Sequence, residues 1–177
     1  MSVVALAVAA VVGAYIAFSP RNIAAYNPKV PLPEEIIQQN QKADGEAEIY
    51  LAGGCFWGTE FLMRNVPGVM SVEVGYSNGT TRNPNYREVC KGSGHAESAH
   101  IIYDPSVVSL PKLLKVYYQS IDPTLVNHQG KDSGVQYRTG IYFSDPADEN
   151  VIKKSLDDLQ NNFFNPIAVE CAPIKNF

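Results

Sequence analysis

Cysteine is scarce in this sequence, and its scarcity removes several protein classes. Cys55, Cys90 and Cys171 are the only three among 177 residues. They are too few and too scattered for a disulfide scaffold, and no C-x-x-C pair points to structural zinc. Histidine is equally rare: His95, His100 and His128 form no spaced ligand set. Positive charge is short as well. Fourteen Lys and Arg against eighteen Asp and Glu leave a net charge of -4, with no basic block or stripe. The electrostatic footprint of a nucleic-acid binder is therefore missing, and no such partner is expected. Internal repeats and low-complexity tracts are absent too. What remains is an ordinary globular composition, 45% hydrophobic, in a chain long enough for one domain with a real core.

Charge is missing altogether from one place. Ser2 to Phe18 carries none and is mostly Val, Ala, Leu, Ile and Gly. At about 17 residues it stands at the lower edge for a membrane-spanning helix and is slightly long for a signal-peptide core. A helix apolar on every face at a chain terminus finds little protein to cover it. Residues 1–19 are therefore expected to be a membrane anchor or signal segment, the absence of a small-x-small cleavage site favouring retention. The domain behind it is then membrane-anchored or exported. Arg21 and Lys29 favour a cytoplasmic main domain, as does a first segment that is no true anchor, but the side of the membrane stays open. Residues 20–46 read as a linker, kept extended by Pro28, Pro31 and Pro33. A catalytic domain is expected over 47–177.

Within it, strands and helices alternate. Glu48–Ala52 reads as a strand, with a helix from Cys55 to about Asn65 stopped by Pro67-Gly68. Val69–Gly75 alternates with Met70, Val72 and Val74 on one face. Tyr76–Gly94 reads as a long loop. Ala99–Tyr103 is a strand, and Ser109 can cap a helix bearing Leu110, Leu113, Leu114 and Tyr117. A second irregular stretch runs from Asp122 to Gln136. Thr139–Phe143, a helix opened by Asp145-Pro146 with Ile152, Leu156, Leu159 and Phe163 on one side, and a closing strand Ile167–Cys171 complete the order. These elements predict an α+β fold, a two-layer sandwich with a mixed sheet and a ferredoxin-like split βαβ core.

The sharpest chemical signal is Gly53-Gly54-Cys55-Phe56-Trp57-Gly58. Two glycines permit a tight turn after a strand and let a substrate approach the backbone. The cysteine falls where a helix begins, where free N–H groups and the helix dipole favour thiolate, the nucleophilic form. Phe56 and Trp57 can line an apolar pocket beside the sulfur. A small buried cysteine with two core aromatics is the bland alternative.

Gly54-Cys55-Phe56-Trp57-Gly58 resembles the signature of the A-type peptide methionine sulfoxide reductases. Gly75-Tyr76 with Asn83-Pro84-Asn85-Tyr86-Arg87-Glu88-Val89-Cys90 is similar to that family's tyrosine loop. Gly94-His95-Ala96-Glu97 resembles its Gly-His-Ala-Glu motif, followed by Tyr103-Asp104-Pro105. Asp122-Pro123-Thr124, Asn127, Gln129-Gly130, Asp132, Gly134 and Gln136-Tyr137-Arg138 match a third block, so the resemblance is continuous from about Glu48 to Phe177. It implies that Cys55 is the nucleophile and Glu97 the acid, that Tyr86 and Tyr137 hydrogen-bond the sulfoxide oxygen, and that Asp132 supports this cluster. It implies too that Phe56 and Trp57 accept the methyl group. The implied activity is reduction of methionine S-sulfoxide, free or in oxidised proteins, through a cysteine sulfenic acid. Thioredoxin or another thiol is the electron donor, and neither a bound cofactor nor a metal is expected.

The chain departs from the pattern in three places, at its C-terminus, at Cys171 and at Ile121. It stops at Asn176-Phe177, where members continue with an acidic, Tyr- and His-containing segment, so the domain is expected to be truncated there. Cys90 is a possible resolving thiol or a non-catalytic one. Cys171 replaces an aliphatic residue and is expected to be packed. Ile121 stands where many members have His, which hints at the subgroup fused to a B-type reductase domain. Two rival readings remain. A cysteine hydrolase would need His95 or His128 beside Cys55, and a tethered domain would bind oxidised methionine without turning it over.

Overall fold

The computed structural model describes residues 45–177. The apolar segment and the linker up to residue 44 lie outside the described residues. Among the described residues no helix is long and apolar enough to cross a membrane.

The chain forms β1 (Ala47–Gly53), α1 (Phe56–Arg64), β2 (Val69–Ser77), α2 (Tyr86–Cys90), β3 (Ala96–Tyr103) and α3 (Leu110–Tyr118). A two-residue hairpin follows, β4 (His128–Gln129) with β5 (Asp132–Ser133), then a 3₁₀ turn (Val135–Tyr137). β6 (Thr139–Phe143), α4 (Asp148–Gln160) and β7 (Glu170–Pro173) complete the domain. The large sheet runs β2-β3-β1-β6-β7. β3 sits between β1 and β2, antiparallel to both, and β6 is antiparallel to β1. That is the expected split βαβ core, and β7 extends the sheet parallel to β6.

Alternation along the strands decides the layers. Ile49, Leu51, Ala99, Ile101 and Ile141 meet Met63, Leu113, Leu114, Tyr117 and Ile152 of the helices in one core. Tyr50, Ala52, Ala96 and Tyr142 point the other way, where Ala172 and Ile174 pack on them. Phe177 meets the rings of Tyr50 and His100 edge-on there. The helices thus cover one face, as expected, and the C-terminal segment runs over the other.

Five local expectations are corrected. Met70 does not share a face with Val72. A bulge shifts the β2–β3 register between Val69 and Ser71, and Met70 turns out to solvent. The stretch from Tyr76 to Gly94 is not all loop: β2 continues to Ser77, and α2 forms inside it. Ser109 occupies the N-cap position of α3, but its side chain makes no capping bond. The final strand lies at Glu170–Pro173 rather than Ile167–Cys171, and Phe163 falls beyond α4.

Candidate active site

Sheet register brings the candidate residues to one end of the molecule. β1 and β2 finish there, while β3 and β6 begin there. Ala52 opposes Ser98, Tyr76 opposes Glu97, and Gly53 opposes Thr139. Residues just past Gly53, at Tyr76, at Glu97 and just before Thr139 therefore converge, though they are far apart in sequence.

Gly54 makes the turn from β1 into α1 with φ +77, a conformation that suits glycine. A Cβ there would lie 2.8 Å from Cβ of Gln129. The Gln129 amide is itself fixed, accepting from the Asp122 N–H at 2.9 Å and donating to the Asp122 carbonyl at 2.8 Å. The hairpin carrying Asp132 is thus seated against the turn that delivers Cys55. Cys55 is half-buried at the N-cap of α1 and is a free thiol, as are Cys90 and Cys171.

Glu97 lies on the helix-facing side of β3, in step with Ala99 and Ile101, and is 3% exposed. Its Oε2 accepts the N–H of Phe56 at 3.1 Å, so the carboxyl touches the residue bonded to Cys55. Burial raises its pKa. The Asp132 charge adds to the rise, and the Phe56 hydrogen bond only partly offsets it. The Tyr86 and Tyr137 hydroxyls lie 3.3 Å apart. Hydrogen bonds to Tyr137 and to the Cys90 thiol hold the Tyr86 phenol above its ordinary range, so it keeps its proton. Among the described residues no group of three or more His, Cys, Asp or Glu could hold a metal ion.

The family model for peptide methionine sulfoxide reductases matches residues 47–177. The chain belongs to that family. Its relatives include the peptide methionine sulfoxide reductase MsrA of Lachnoclostridium phytofermentans, 53% identical over 130 residues, 73% of this chain and 78% of that one. The MsrA of Clostridium botulinum strain Okra is 51% identical over 131 residues, 73% and 83% of the two chains. Among solved structures, reduced Mxr1 from Saccharomyces cerevisiae superposes with a TM-score of 0.71 at 37% identity, covering 75% of this chain and 78% of that one. Methionine sulfoxide reductase A of Corynebacterium diphtheriae gives 0.67 at 33% identity, covering 82% and 72%. This reductase therefore acts on methionine sulfoxide of the S configuration.

In the reductase, Cys55, Phe56, Glu97 and Asp132 gather at the turn after β1, and Tyr86 pairs with Tyr137. Trp57 is largely exposed beside them, its ring centroid 6.0 Å from that of Phe56. His95 is buried, with Nδ1 on the Ser93 hydroxyl and Nε2 on the Thr81 carbonyl. Both ring nitrogens are engaged with that loop, which removes the imidazole a hydrolase would take from it. Cys171 packs against the core, and burial pushes its thiol up, in line with the packing role. The sequence alone marks no role for Tyr76, although it stands in a matched motif. Its ring lies 5.7 Å from Phe56, and burial and the Glu97 charge raise its phenol. Its position opposite Glu97 was the missing signal, and only the strand pairing supplies it.

Proposed function

We propose that Cys55 attacks the sulfoxide sulfur while Glu97 gives its proton to the oxygen. The thioether leaves as methionine, and Cys55 keeps the oxygen as a sulfenic acid. Sulfoxide oxygen is a poor leaving group until protonated, so the acid has to be neutral beforehand. The single observation that carries this reading is the buried Glu97 carboxyl, bonded to the amide that follows Cys55 and kept prone to hold its proton. Tyr86, Tyr137 and Tyr76, which lies opposite Glu97, are suited to hold the oxygen as neutral donors. Burial favours the protonated form of Glu97 and the Asp132 charge adds to it, and Phe56 with Trp57 forms the wall for the methyl group.

The sulfenic acid then condenses with a thiol, releasing water and leaving a disulfide. Cys90, exposed beside Tyr86, is one candidate thiol, and an external one is the other. Yeast Mxr1 has been solved in complex with Trx2, and that structure superposes here with a TM-score of 0.58 at 29% identity. That likeness supports a thioredoxin-type donor for this chain. Residues 1–19 are proposed as a membrane tether on the strength of their uncharged apolar run. Fusion to a B-type reductase domain is supported by Ile121 together with the apolar first segment.

Mass spectrometry after one equivalent of N-acetyl-methionine S-sulfoxide methylamide tests the chemistry. One oxygen should appear on Cys55, or its loss as water should leave a disulfide that names the resolving thiol. Cys55→Ser should do neither. Methionine formed by that variant at the wild-type rate would overturn the assignment.

A further inference from the structure

A peptide-borne sulfoxide brings chain on both sides of the reacting group, and that chain has to cross the rim of the site. On α1 the rim is aromatic. Trp57 and Phe61 are four residues apart and share one helix face. They are 69% and 56% exposed, and neither belongs to a core cluster. Side chains on a helix lean toward its N-terminus, so Phe61 covers the turn that carries Trp57 and leans toward the Cys55 end. The two positions differ by about 6 Å along the axis. That is about the span of one or two residues of extended chain.

Charge does not compete on this turn. Glu60 and Arg64 pair with each other at 2.7 Å. What the face offers to a partner is ring surface. Adjacent exposed rings form a larger apolar patch than a single side chain does, and Trp57 joins this one to Phe56 of the proposed methyl pocket, their centroids 6.0 Å apart.

We propose that Phe61, with Trp57, forms an apolar shelf for the residue flanking the sulfoxide, so that peptides with apolar neighbours are preferred substrates. The shelf rests on the site reading above and adds sequence selectivity to it. Its occupant is an unfolded or extended segment in which a large aliphatic side chain adjoins methionine sulfoxide. Oxidised methionine from a disrupted protein core has such neighbours.

The test uses the whole chain, dithiothreitol as reductant and three substrates: the N-acetyl methylamide of methionine S-sulfoxide, a pentapeptide with Leu on both sides of the sulfoxide, and the same peptide with Asp. Wild type should prefer the Leu peptide to the other two. Phe61→Ser should lower kcat/KM for the Leu peptide by about tenfold through KM, the scale expected for lost apolar contact in a subsite. It should leave the methylamide within about twofold. Phe61→Leu should restore much of the preference. An equal fall on the methylamide and the Leu peptide would make Phe61 a support of the site itself and overturn the shelf. So would a wild type with no preference for Leu. Methylamide turnover by wild type reads the Cys55 chemistry alone, so the two proposals fail separately.

Discussion

As the proposed acid, Glu97 has to hold a proton at a pH where a carboxyl in water has lost it. Burial raises its pKa above the ordinary 4.5, and the Asp132 charge raises it further. The folded protein then binds this proton more tightly than the unfolded chain does. The resulting stability is complete below the unfolded value and is lost as pH rises through the folded one. Glu97→Gln keeps an acceptor for the Phe56 N–H but has nothing to titrate. Its melting temperature should exceed that of wild type at about pH 8, and the gap should close at about pH 4. A variant that melts lower at both would show that the carboxylate stabilises instead. The same substitution should slow single-turnover reduction roughly 10²–10⁴-fold and remove the fall in rate as pH rises through the Glu97 titration. Glu97 was legible in the sequence because its motif is specific. Tyr76 was not, because its meaning depends on a cross-strand neighbour 21 residues away.

At the level of elements, α2 depends on its cap. It has five residues, too few to persist on helix propensity alone. The Asn85 side chain accepts the Glu88 N–H at 3.1 Å, and the Glu88 carboxylate accepts the Asn85 N–H at 2.9 Å. This capping box fixes the helix that carries Tyr86 and Cys90. Asn85→Ala should weaken it by about 0.5–2 kcal/mol. Hydrogen exchange at the amides of Val89 and Lys91 should quicken while β1 and β3 stay protected. Unchanged exchange at those amides would mean that tertiary contacts, not the cap, hold the turn. The order of the longer elements was legible because apolar period and Gly or Pro stops agree along most of the chain. The short helix was hidden by the Gly, Asn and Pro around it. The Met70 bulge was hidden because alternation alone does not mark a register slip. Asn78 makes a turn with φ 54, and its side chain holds the carbonyl of Pro173 and the amide of Lys175.

Across the whole molecule, Tyr117 ties helix layer to sheet. Its buried hydroxyl donates to the Ala52 carbonyl at 2.6 Å, with Gly140 on the neighbouring strand at 3.4 Å. Tyr117→Phe should lose about 1–2 kcal/mol, seen as a melting temperature several degrees lower. Unaltered melting would mean that water replaces the lost donor. The central register, with β3 lying between β1 and β2, has a consequence for synthesis. The groups gathered beyond the end of β1 come from positions as distant as Asp132, on the hairpin that precedes β6. A nascent or unfolded chain therefore carries only a dispersed set of ordinary side chains. The proposed nucleophile gains its surroundings in the same event that hides the core, so a half-made copy lacks the proposed site with which to spend oxidant or reductant.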